Sequence, residues 1–327
     1  MRIARYWKII VATVLAVILL GLLTGYFSYL HAINATNENI TESTLIKIEA
    51  NESTANIADA LYNLKLIKNK KLFLFYERSR LGTVKPGYYE IEAGMSLAAV
   101  AKLINSGETK IVKARIPEGY RMEQIAVKLS SLGIVSYSDF MAAAAGKEGT
   151  LFPDTYFFDP IMTGEAVVAK MEDDYSSRTT GLALTTKDLV LASIVEKESA
   201  DNDTDRGIIA GIYQNRIDAG MRLQSDPTVS YGRDTNNIAG LVVSEIMDYS
   251  FWKAAKTAEF ISVISRFNTY QITGLPPSPI CNPSLASIEA AINPTPSDYY
   301  YFLYGKDKIL HPASTLDGHK VNVTKYL

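Results

Sequence analysis

Two glutamates near the end of the segment TTKDLVLASIVEKESA (Thr185 to Ala200) are the side chains best placed for acid–base work. Thr185 and Asp188 predict a capping-box start to a helix, and Leu189 to Val195 supply its apolar run. Glu196 and Glu198 are two positions apart, so on a helix they project about 200° from each other and cannot share a side. Glu198 follows Leu191, Ile194 and Val195 by seven, four and three residues and so extends their apolar stripe. Burial there favours the neutral acid, and the helix C-terminus disfavours a negative charge. Both raise the pKa, as a general acid working near neutral pH requires. The plainer alternative for a glutamate at a helix end is emergence into solvent, or pairing with an arginine such as Arg206.

The rest of the inventory narrows the chemistry. The chain has 327 residues, with 33 Lys and Arg against 35 Asp and Glu. The resulting net charge of −2 gives no electrostatic reason to expect nucleic acid as a partner. A single cysteine, Cys281, excludes an intrachain disulfide framework, and with three histidines neither a Cys/His zinc site nor a Cys–His dyad is expected. No G-x-S-x-G, G-x-x-x-x-G-K-[ST] or H-E-x-x-H string occurs. No metal or cofactor is expected; carboxylates, hydroxyls and amides must carry the chemistry. Two further stretches hold such groups. Gln224-Ser225-Asp226-Pro227-Thr228 is polar and closed by proline, which predicts a loop, with an Asx turn as the plainer role of Asp226. Asn268, Thr269 and Tyr270 precede Gly274-Leu275-Pro276-Pro277, a rigid turn in which the prolines fix φ and Gly274 permits positive φ.

These groups need a scaffold. A hydrophobic content of 47% with 21% charged residues is that of a folded protein, and the length suits two domains. Ile9 to Leu30 is a run of 22 residues without a charge. At about 1.5 Å per residue it spans roughly the 30 Å of a bilayer's hydrocarbon core, longer than the apolar region of a signal peptide. Arg2, Arg5 and Lys8 precede it, and no Lys or Arg follows until Lys47, so the first eight residues are expected in the cytoplasm and the rest outside. His31 to Thr44 is polar and reads as a linker.

Beyond it three segments share one register. Ile48 leads nine residues later to Ile57, Ala58 and then Leu61; Ile91 leads likewise to Val100, Ala101 and Ile104, and Ile116 to Ile125, Ala126 and Leu129. Each reads as a short strand, a turn carrying Asn51, Gly94 or Gly119, and an amphipathic helix, with Ser53 and Ser96 as caps in the first two. Those two copies resemble the LysM-like unit, a compact strand–helix module that lies along N-acetylated sugar chains. Simple packing of small α/β units is the alternative.

Four blocks carry a wider resemblance: LFPDTYFF (Leu151 to Phe158), LASIVEKESA (Leu191 to Ala200), GMRLQSDPTVSYG (Gly220 to Gly232) and NTYQITGLPPSPICNPS (Asn268 to Ser284). On them the chain resembles the endolytic murein transglycosylase family (the YceG-like, or MltG, proteins), strongly from about Leu151 to Tyr304 and weakly before. The resemblance implies an α+β fold laid out as a cytoplasmic tail (1–8), a transmembrane helix (9–30), a linker (31–44), a small LysM-like α/β module (45–113) and a larger mixed α+β catalytic domain (114–327). It also implies a bacterial inner-membrane protein, anchored once. Such a protein cleaves peptidoglycan strands between N-acetylmuramic acid and N-acetylglucosamine without water, beside peptidoglycan synthases and elongation or division complexes.

The family's catalytic glutamate corresponds to Glu198, the one selected by helix geometry, and Glu198-Ser199 is similar to the Glu-Ser pair of other lytic transglycosylases. Ser199, Gln224, Ser225, Asp226, Asn268, Thr269 and Tyr270 are then expected at the sugar, while Asp154 and Tyr156 are expected to be structural. Two departures stand out. Family members usually carry tyrosine where this chain has Phe267, and a Gly-x-His-x-Phe-Ser pattern near the end is replaced here by Leu310 and Pro312 at the His and Phe places, although His319 in TLDGH still fits. Two other functions share these residues: a glycan-binding envelope scaffold without catalysis, and a muramidase that uses water with Asp226 as its second carboxylate.

Overall fold

The computed structural model describes residues 2–79, 84–199 and 202–327, with side chains from Tyr6 onward. Ala200, the last residue of the glutamate-bearing block, and the side chains of Arg2 and Arg5 lie outside the described residues. The chain divides into two units, Met1–Ile111 and Val112–Leu327, and the fold is mixed α+β.

The first unit opens with α1 (Arg2–Asn34), which among the described residues is the one helix long and apolar enough to cross a membrane. It is followed by β1 (Thr44–Ile48), α2 (Thr54–Asn63), α3 (Lys70–Arg78), β2 (Gly87–Ile91) and α4 (Leu97–Ser106). β1 and β2 pair antiparallel, with Ile46 opposite Tyr89. The stretch expected as a linker is partly built into this unit. α1 continues through Asn34, and Ile33 and Ile40 are buried in the core against which Tyr29 and Leu30 also pack. Asn37 bridges to Gly94, and its amide donates to the Lys65 carbonyl at 3.0 Å. Two isoleucines in an otherwise polar stretch are enough to bind it to the core.

The second unit begins with β3 (Val112–Arg115), α5 (Met122–Ser131), α6 (Tyr137–Ala143), β4 (Thr155–Phe158) and α7 (Gly164–Thr179), with β3 and β4 antiparallel over one apolar core. There follow α8 (Thr186–Glu198), α9 (Asp203–Asp218), α10 (Asp226–Ile238), α11 (Val243–Met247), α12 (Glu259–Ser262) and α13 (Leu285–Ile292). The hairpin β5 (Tyr301–Tyr304) and β6 (Leu310–Ala313) and the helix α14 (Leu316–Tyr326) end the chain.

The repeated register is a real structural repeat. Asn51, Gly94 and Gly119 all turn the chain with left-handed φ (65°, 75° and 72°). Ser53 and Ser96 accept the N–H groups of Asn56 and Ala99 at 3.2 Å, each capping its helix. The paired Ile/Val and Ala nine and ten residues after Ile48, Ile91 and Ile116 are buried in all three copies.

The capping box at Thr185 and Asp188 forms, and α8 starts there. The helix departs from the expected stripe in one respect: Leu189 to Val195 are buried on every side, because α9, α10 and α13 all pack around it. The first turn and the last turn, which carries both glutamates, leave the core. α9 packs closely because Gly211 lacks a side chain; a Cβ there would sit 2.2 Å from the Thr295 carbonyl oxygen.

Candidate active site

The central helix α8 delivers Glu198 to a cleft of about 400 Å³. Its walls are Tyr213 and Arg216 from α9, Leu223, Gln224 and Asp226 leading into α10, Tyr270, the four residues of β5, and Leu316 and His319 from α14. Glu198 Oε1 accepts two hydroxyl hydrogen bonds, from Tyr213 at 2.7 Å and Ser225 at 2.6 Å. No described residue donates to Oε2, which leaves that oxygen to carry a proton toward the cleft. Burial raises the Glu198 pKa, and the Asp226 charge adds to the rise; the two hydroxyl donors and the Arg216 guanidinium oppose it without cancelling it.

The hydroxyls stabilise the carboxylate form, so their removal has a definite sign. Ser225→Ala raises the Glu198 pKa further. For a general acid, active when protonated, the alkaline limb of the kcat/KM profile then moves to higher pH. A pH–rate profile checks this, and a limb that moves to lower pH contradicts it.

Glu196 goes elsewhere. Its Oε2 accepts the Ser284 N–H at 3.0 Å and the Ser284 and Ser287 hydroxyls at 2.6 and 2.7 Å, so it holds the N-terminus of α13. An acidic group at that position also suits the helix dipole. Glu196→Gln is therefore expected to cost about 1–2 kcal/mol of stability in a denaturant melt while leaving cleavage per folded molecule within about twofold.

The residues expected at the sugar separate into four groups. Gln224, Asp226 and Tyr270 line the cleft. Asp226 starts a helix rather than a loop, with Pro227 in its first turn where a missing N–H costs nothing. Tyr270 donates to Asp226 Oδ1 at 2.6 Å, and its ring stacks on Phe260 with centroids 4.0 Å apart. Ser225 holds Glu198. Asn268 and Thr269, by contrast, are fully buried and do not line the cleft. The Asn268 amide donates to the Phe260 and Val263 carbonyls and its oxygen accepts the Tyr270 N–H, while the Thr269 hydroxyl accepts the Ser225 N–H at 2.9 Å and pairs with Thr228. They shape the loop that presents Tyr270 and Ser225. Ser199 caps α8 with extended backbone, and it does not line the cleft.

Arg206, the arginine offered as a plainer partner for Glu198, instead reaches Asp203 at 2.7 Å. Asp154 pairs with Arg178, and Tyr156 donates to the Phe152 carbonyl; neither lines the cleft. Phe267 packs its ring 4.6 Å from that of Tyr231.

Tyr213, Arg216 and the tyrosines of β5 were not legible as site residues. Tyr213 is fifteen residues from Glu198 and on another helix, and no spacing rule connects them. Arg216 donates to the carbonyls of Tyr300 and Leu223 at 2.6 and 2.5 Å, tying β5 to the segment before α10. His319 stacks on Tyr301, and burial, with the Arg216 charge beside it, lowers its pKa and so favours the neutral imidazole.

The sequence model of the YceG-like family matches residues 46–325. The chain is 28% identical over 356 residues to the endolytic murein transglycosylase of Streptococcus pneumoniae serotype 2 (strain D39 / NCTC 7466). That alignment covers 93% of this chain but only 62% of the pneumococcal protein. Identity to the Bacillus subtilis (strain 168) endolytic murein transglycosylase is also 28%, over 93% of this chain and 90% of that one. Among solved structures, a yceG-like protein from Listeria monocytogenes superposes with a TM-score of 0.52 at 28% identity, covering 86% of this chain and 99% of that one. With the family's pattern running through both units and over all the residues that line the cleft, the chain belongs to the YceG-like family.

Proposed function

We propose that this protein is a single-pass, membrane-anchored lytic transglycosylase. It cuts peptidoglycan strands internally between N-acetylmuramic acid and N-acetylglucosamine and leaves 1,6-anhydro ends. The observation that carries this reading is a half-buried carboxyl at the cleft, Glu198, with a pKa raised by desolvation and one oxygen fixed by Tyr213 and Ser225. The name shared by the curated relatives, endolytic murein transglycosylase, supports the same activity.

The chemistry needs one group in two states. Protonated Glu198 donates to the glycosidic oxygen as its bond to C1 breaks, and the muramic ring gains oxocarbenium character. The resulting carboxylate takes the proton of the ring's C6 hydroxyl, whose oxygen closes on C1. One proton is given, one is taken, and no water is consumed. Burial favours the acid of the first step, and the two hydroxyl donors favour the carboxylate of the second. Gln224, Arg216 and the tyrosine rings of the walls supply hydrogen bonds and stacking faces suited to a glycan.

In the same proposal α1 crosses the inner membrane with residues 1–8 in the cytoplasm, residues 45–113 form a LysM-like module, and Glu198 works outside the cytoplasm. Peptidoglycan synthases and the elongation or division machinery are the partners that such an enzyme works beside.

One observation keeps a second reading in view. Asp226 lines the same cleft, as a muramidase's water-activating carboxylate must. Mass spectrometry of digested, purified glycan strands separates the two: lytic cleavage gives ends lighter by one water than the reducing ends left by hydrolysis. Anhydro ends are expected. Reducing ends support the muramidase, and intact strands support a scaffold.

A further inference from the structure

We infer that the exposed face of α3, together with the last turns of α1, is a seat for anionic phospholipid headgroups at the outer surface of the bilayer; this rests on the reading of α1 as a membrane span. Lys71, Phe75 and Arg78 stand at i, i+4 and i+7 on α3, one stripe of the helix, and all three are exposed. Phe75 is 60% exposed, although Phe73 and Tyr76 on the same helix are buried in the core of the first unit. Its ring meets Tyr29 edge-on with centroids 5.6 Å apart, and Tyr29 lies at the very end of the uncharged run of α1.

That contact sets the level of α3. A helix touching Tyr29 sits where α1 passes from hydrocarbon into the headgroup layer, the depth at which amphipathic aromatic rings are favoured. Lys68, just before α3, donates to the Thr36 carbonyl just beyond α1 at 3.2 Å, which brings a further cation to the same end. Lys70 is neutralised by Asp59, whereas the acidic residue of α3, Glu77, is buried and accepts the Asn105 amide at 2.9 Å. The outward stripe therefore carries two cations around an aromatic ring and no acid. Basic and aromatic side chains on one face of an interfacial helix are what an anionic lipid surface attracts. The unit has no slack with which to leave that level, since Ile33 is buried in its core and Leu30 packs against it.

The full chain, reconstituted in vesicles of phosphatidylcholine with or without phosphatidylglycerol, tests this by spin-label accessibility. Labels go on Phe75→Cys, on Lys71→Cys as a second reporter, and on Leu20→Cys as the depth control. The label at 75 is expected within about 5–10 Å of the headgroup–acyl boundary, with the label at 20 in the hydrocarbon. Phosphatidylglycerol should draw the label at 75 deeper, and Lys68→Glu with Lys71→Glu and Arg78→Glu should return it toward water. A label at 20 in the hydrocarbon with labels at 75 and 71 as water-exposed as a free side chain overturns the seat and leaves the span standing. A label at 20 in water overturns both. Dipolar coupling between labels at 75 on two chains, insensitive to lipid, overturns the seat in favour of self-association.

Discussion

Glu198→Gln is expected to lower strand cleavage by about 10³–10⁴-fold, the upper part of the range for a general acid–base, because in the proposed mechanism a single group serves both proton transfers. The substitution is nearly isosteric. The glutamine oxygen still accepts from Tyr213 and Ser225, so the cleft keeps its shape and glycan binding is retained. The effect on stability has the opposite sign to the effect on activity. Burial raises the Glu198 pKa in the folded protein above its unfolded value, so this group's contribution is complete below the unfolded pKa and is lost as pH rises through the folded pKa. Glutamine has no such loss. The variant is therefore expected to melt at or above the wild-type temperature in mildly alkaline buffer while being inactive. Melting curves, a strand-binding assay and product analysis on the same preparation check all three. Substantial residual cleavage would remove Glu198 from the mechanism. Asp226→Asn separates the two chemistries, since a water-activating base would make its loss as severe as that of Glu198. In the lytic reading it acts mainly by lowering the Glu198 pKa, because the Asp226 charge helps to raise it.

What the sequence disclosed follows the range of the forces involved. The three-fold register, the turn residues with left-handed φ, the serine caps and the capping box at Thr185 are local, and each is set within about ten residues. The division of labour between Glu196 and Glu198 was legible for the same reason, because it depends only on helical periodicity. The walls of the cleft were not. Tyr213, Arg216 and Tyr301 share the cleft with Glu198 by way of α9 and β5, and the packing of Gly211 on Thr295 that seats α9 has no local signature. Asn268 and Thr269 misled for a related reason. A polar residue beside a rigid turn has the composition of a ligand group whether it faces a cleft or satisfies the backbone that shapes it. Burial in the fold decides between those, and burial is a long-range property.

Asn282→Ala is the substitution expected to cost the fold most, about 3–5 kcal/mol, since it empties a buried polar network at its centre. Asn282 is fully buried in the motif that precedes α13. Its oxygen accepts the N–H groups of Gly149 and Leu151 at 2.8 and 2.9 Å, and its amide donates to the Tyr120 carbonyl and Glu148 Oε1 at 3.0 and 2.8 Å. Its main chain also pairs with Gly119 and Tyr120. The residue thus clasps the loops flanking α5 and β4 to the segment leading into α13, and alanine leaves all four partners without it. Glu148 gives the loss a pH dependence. Burial, with the Glu123 charge beside it, pushes its pKa up to about 8, and the Asn282 amide is one of the groups holding it down. A carboxyl raised in the folded state stabilises least at high pH, because its contribution is lost as pH rises through the folded pKa. Alanine at 282 raises that pKa further, so the variant's deficit is smallest near pH 5 and grows as pH passes about 8. Denaturant melts at pH 5 and pH 9 measure the difference. A deficit that shrinks with rising pH would show that the Asn282 amide does not support the ionised form of Glu148, and that the clasp rests on the backbone bonds alone.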